Sequence, residues 1–108
     1  MLIDDARLEK ALRKIAQSDS EEAELHIRAL RAEDKADAIK DAIFLRTEGT
    51  AGERTATART HADYAAAREE YYTALILYER LRNERKKEYA VTELWRSMSS
   101  ARTKGLVL

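Results

Sequence analysis

The chain has 108 residues, 37% of them charged, with no proline, no cysteine and three glycines. This predicts a single helical domain and excludes a disulfide framework or a thiolate metal site. Twenty basic and twenty acidic side chains cancel, which departs from a strongly basic nucleic-acid binder. The charge is nevertheless unevenly spread: residues 1–45 carry 8 basic and 11 acidic groups, and residues 79–108 carry 8 and 4.

A short first helix is predicted over about 4–16, with Leu8, Leu12 and Ile15 on one side and Asp4 and Asp5 at its positive end. The opening MLIDDARLEK is charged by its fourth residue, so neither a signal peptide nor a membrane span is expected, and the cytoplasm is the expected location (that of a host cell, if the chain is phage-encoded). Gln17-Ser18-Asp19-Ser20 reads as a break. Ser18 with Glu21, or Asp19 with Glu22, has the spacing of a capping box that starts the next helix.

A long helix follows over about 20–47. Leu25, Ala29, Ala32, Ala36, Ile39 and Ile43 are spaced alternately four and three apart, a heptad seam whose small members admit a close partner helix. Glu48-Gly49 ends it, and Thr50 with Glu53 forms a second capping box for a short helix in the connector 48–62. Thr60 and Asp63 repeat the start signal before a second long helix, over about 63–104. Its seam runs Tyr64, Ala67, Tyr71, Ala74, Tyr78, Leu81 and is followed by Arg82–Glu88, polar on every face. Apolar residues resume at Val91, Leu94, Trp95 and Met98, and Gly105 closes the helix ahead of Leu106-Val107-Leu108. The expected fold is all-α: a coiled-coil-like hairpin of two long helices with a short N-terminal helix. Much of the apolar content is alanine, so one chain buries a thin core and a homo-oligomer is expected. The oligomerisation residues would be Leu25, Ala29, Ala32, Ala36, Ile39, Ile43, Tyr71, Tyr78, Leu81, Trp95 and Met98.

No catalytic constellation emerges, and no cofactor or metal is expected. His26 and His61 each have alanine three residues before them, where a helical carboxylate-bridged metal site requires glutamate. Ser97, Ser99 and Ser100 have no nearby histidine, and there is no phosphate-cradling glycine loop. Tyr64, Tyr71 and Tyr78 stand seven apart along one helix edge. Alternating with alanine in a heptad seam, they read as packing rather than as a stacking platform for bases.

The chemistry-bearing signal is basic. Arg80, Arg82, Arg85, Lys86 and Lys87 lie within eight residues, and Arg96, Arg102 and Lys104 follow on the same helix. Guanidinium and ammonium groups bind phosphate by charge, and a repeated patch in an oligomer would add contacts. The competing reading is that the interleaved Glu79, Glu84 and Glu88 neutralise the cluster through helix-surface pairs.

Two stretches carry a family resemblance. Glu93-Leu94-Trp95-Arg96-Ser97-Met98 with Ser100–Leu106 resembles the end of UvsY-type phage recombination mediators, in which an aromatic-bearing helix is followed by a basic residue and glycine. Phe44–Arg54 is similar to a stretch of small helical phage proteins of the same kind. The resemblance implies a non-enzymatic, oligomeric protein that binds single-stranded DNA and helps load a recombinase in place of a single-strand-binding protein. It implies an assembly or interaction role for Trp95–Lys104 only. The alternative is a helical adaptor that assembles through its seams without nucleic acid. Salt separates the two, since it weakens DNA affinity in the first case and assembly in the second.

Overall fold

A computed structural model describes residues 3–105; the apolar tail Leu106–Leu108 lies outside them. Among the described residues the chain is all-helical: α1 (Asp5–Arg46), α2 (Ala51–Thr60) and α3 (Ala62–Thr103).

The predicted break at residues 17–20 is absent, and the short N-terminal helix is the first part of α1. Ser18 caps nothing. It is buried, and its hydroxyl donates to the Lys14 carbonyl one turn back at 2.6 Å, a bond that an uninterrupted helix accommodates. The expected line Leu8–Leu12–Ile15 holds only in part, with Leu8 and Ile15 half-buried. Leu12 is 52% exposed, and Ala11 and Ser18, seven apart, take the buried positions.

The stop and restart near residue 50 form as predicted. Gly49 has φ 119°, a backbone conformation that favours glycine. Thr50 Oγ1 accepts from the Glu53 N–H at 3.2 Å and opens α2. The start of α3 differs from expectation. Thr60 is the last residue of α2 and its hydroxyl donates back to Ala56; His61 ends α2, and its Nδ1 accepts from the Asp63 N–H at 3.0 Å. At the other end, Gly105 with φ 76° lies just past the end of α3, as expected.

The residues divide into two compact units. One is Ala23–Tyr78; the other combines Met1–Glu22 with Glu79–Leu108. In Ala23–Tyr78, the later part of α1 runs antiparallel to the start of α3, as contacts from His26 to Tyr78 and from Lys35 to Glu70 require. Its buried residues are Ala29, Ala36, Ile43, Ala58, Ala67 and Ala74, so the predicted seams face each other within one chain. Arg54 of α2 reaches back to the Phe44 carbonyl at 3.0 Å and lies over the Phe44 ring, tying α2 to the end of α1.

The seam residues expected to join copies are turned, wholly or in part, toward the chain itself. Ala29, Ala36, Ile43 and Met98 are buried; Leu25, Ala32, Ile39, Tyr71, Tyr78, Leu81 and Trp95 are half-buried. The tyrosine row is packing, as its spacing indicated. Tyr78 stacks on His26 at 4.5 Å, Tyr64 lies under Lys40, and the Tyr71 phenol is raised above its ordinary pKa, chiefly by the neighbouring Glu33 carboxylate.

Candidate nucleic-acid interface

The basic cluster belongs to the unit formed by the two ends of the chain. There, the seam of α3 continues past Leu81 in steps of four and three through Arg85 and Glu88, both buried. The stretch Arg82–Glu88 is thus continuous helix and not polar toward solvent on every side.

Arg85 is 5% exposed and cannot reach a phosphate, which removes it from the expected binding set. Its Nη1 donates to the Ile15 carbonyl at 2.6 Å and to Ser18 Oγ at 2.8 Å. Nη2 donates to Asp19 Oδ1 at 3.2 Å, and Nε faces Glu22 Oε2 as an ion pair without hydrogen-bond alignment. The Ser-Asp-x-x-Glu pattern that reads as a helix start is in fact a polar cradle for an arginine from the facing helix.

Glu88 is matched in the opposite sense. Its carboxylate accepts two bonds from Arg7, at 2.8 and 3.1 Å, in a bidentate pair. The hydrogen bond from Arg7 holds the Glu88 carboxyl below its usual range, against the opposing effect of burial; Arg7, Lys14 and Lys87 all add charge in the same direction. Arg7, Ser18, Asp19 and Glu22 were not visible as partners in the sequence. The one available clue was that positions 85 and 88 keep the seam spacing.

The interleaved acids are all engaged. Besides Glu88, Glu84 pairs with Lys14 at 3.5 Å, Glu79 with Arg82 at 3.5 Å, and Glu93 with Arg96 at 2.8 Å. Arg82 and Arg96 are consequently matched within their own helix; of the three acids expected to neutralise the cluster, Glu79 does so, while Glu84 and Glu88 pair with Lys14 and Arg7 of α1. Arg80, Lys86, Lys87, Arg102 and Lys104 are exposed and have no ion pair among the described residues. Arg80 and Lys87 stand one heptad apart on the same edge of α3, about 10.5 Å along the axis. Lys104 lines a shallow open depression with Arg96, Ser97, Ser100 and Ala101. Trp95 is turned toward α1, where its indole N–H meets Asp5 Oδ1 at 3.4 Å.

Among the described residues there is no group of three or more His, Asp or Glu side chains arranged to hold a metal ion, and no helix long and apolar enough to cross a membrane. No family model matches the chain, nor does any curated protein or solved structure. The arrangement of charge therefore carries the functional argument.

Proposed function

We propose that the protein is a non-enzymatic accessory protein that binds single-stranded DNA along the outer edge of α3 and acts as a homo-oligomer in recombinase loading. One observation carries the DNA-binding part. All four acidic residues between Glu79 and Gly105 are ion-paired, whereas Arg80, Lys86, Lys87, Arg102 and Lys104 are exposed without a pair among the described residues. Pairing thus takes up the negative charge of the segment first and leaves unpaired cations on the solvent-facing side of α3, on a chain of zero net charge. Such a surface attracts a polyanion and releases its counterions on binding. The recombination role rests on the resemblance at Glu93–Leu106.

Fluorescence anisotropy of a labelled oligothymidine, titrated with the protein at two salt concentrations, tests the reading. Binding is expected to weaken steeply with salt, with a log–log slope of about −0.7 for each phosphate neutralised. Lys86→Glu with Lys87→Glu should lower both affinity and slope. Unchanged binding in that variant, or none in the parent at low salt, rejects the proposed edge.

A second reading, a helical adaptor that binds no nucleic acid, is favoured by the exposure of large apolar residues such as Ile27, Leu30 and Ile76. Under it, the oligothymidine would remain free at every salt concentration.

A further inference from the structure

In Ala23–Tyr78 the apolar residues are distributed in an unusual way. The buried positions are alanines except for Ile43, while Ile27 and Leu30 are 47% and 44% exposed on the opposite side of α1. Ala23, Ile27 and Leu30, spaced four and three apart, continue to Asp34 as a second heptad line facing away from the intrachain seam. Ala23, Glu24, Ile27 and Arg31 line a shallow, open hollow on this face.

The flanking charges indicate what covers it. Glu24 lies three residues before Ile27 and Arg31 four after, so they sit on the two sides of Ile27 with opposite sign. Both are exposed, and neither makes a side-chain hydrogen bond or ion pair among the described residues. A helix of the same sequence laid antiparallel on this face brings Glu24 of each copy to Arg31 of the other, twice about a two-fold axis. In that register Ile27 of each copy lies beside Ile27 of the other, close to the axis. A surface that complements its own reverse is what an isologous dimer requires.

We propose that a second copy of this chain docks on the outer face of α1, centred on Ile27, as an antiparallel two-fold pair. This face, rather than the predicted seams, joins the copies. It supplies the contact for the homo-oligomer of the preceding reading, and it is tested without DNA so that the two can fail separately. The apolar part of the contact is confined to Ala23, Ile27 and Leu30 of each copy, so weak association is expected.

Sedimentation equilibrium of the full chain, with circular dichroism to confirm helix content, tests the proposal. The parent should fit a monomer–dimer equilibrium, and Ile27→Glu should be monomeric with its helices intact. Glu24→Arg places two arginine pairs across the interface and should raise the Kd at least tenfold. Adding Arg31→Glu should restore it. Residues 24 and 31 are about 10.5 Å apart along their own helix, so this rescue can only act between copies. A parent that stays monomeric throughout overturns the proposal. So does a dimer indifferent to Glu24→Arg, a single swap that the double swap does not rescue, or an oligomer larger than a dimer.

Discussion

Residues 23–78 and the unit made from the two chain ends each close an antiparallel contact between α1 and α3, but with opposite chemistry. The first is closed by alanines around Ile43, the second by Arg85 in its Ser18–Asp19–Glu22 cradle and by the Arg7–Glu88 pair, with Ala11 and Met98 alongside. Alanine seams allow close approach, but one alanine resembles the next, so the seam specifies register weakly. The charged contact specifies it strongly. α1 offers a cation at Arg7 and anions at Asp19 and Glu22, and α3 answers with Glu88 and Arg85 in reversed order. A slip of one heptad would part both pairs by about 10.5 Å and leave buried charge unmatched. Buried ion pairs contribute little net stability compared with apolar packing, so register is the role we assign to this pair of contacts.

The sharpest way to break the comparison is Arg85→Glu, which sets a buried carboxylate beside Asp19 and Glu22. It should cost about 4 kcal/mol in urea denaturation, in the range for a buried pair left unmatched. Amide hydrogen exchange should speed up first in residues 3–22 and 79–105, while residues 23–78 keep their protection. Equal loss of protection throughout would show that the two chemistries do not separate into regions.

Ile43→Ala probes the other region. Ile43 is 2% exposed and is the one large side chain among the buried residues of its unit, so its truncation should cost about 3 kcal/mol. The same exchange experiment should now show the reverse pattern. A loss below about 1 kcal/mol would mean that the alanine seam closes over the gap.

The smallest effect is on pH. The Glu88 carboxyl is held down by Arg7, so the folded state binds its proton less readily than the unfolded chain does. The contribution of this pair is therefore complete above the ordinary glutamate value of about 4.3 and is lost as pH falls through the lower folded value. Glu88→Gln should remove this part of the acid dependence while leaving the rest. An acid limb of the urea midpoint that is identical in parent and variant would place the titration elsewhere.

What could be read in the sequence followed how locally each feature is determined. Helix content, the Gly49–Thr50 stop and restart, the end of α3 near Gly105 and the half-buried tyrosine row all depend on residues within a turn or two of one another. The candidate site was half legible. The cationic residues of α3 were recognised as a cluster, but Arg85 was counted among them because one strand of sequence does not reveal what faces it.

The same limit explains the false break at residues 17–20. Ser18, Asp19 and Glu22 have cap chemistry, and sequence spacing alone cannot distinguish a hydroxyl and carboxylates that satisfy backbone N–H groups from those that satisfy a guanidinium from another helix. The sequence by itself determined that the chain is helical, where α2 begins, and which residues line the seam of each helix. Only the tertiary structure decided that the seams close within one chain, that Arg85 and Glu88 are interior, and that Arg80, Lys86 and Lys87 are exposed without an ion pair among the described residues. The physical reason is that helix formation depends on short-range bonding along the chain, whereas the pairing of a charge depends on a group far away in sequence, as Glu88 is 81 residues from Arg7.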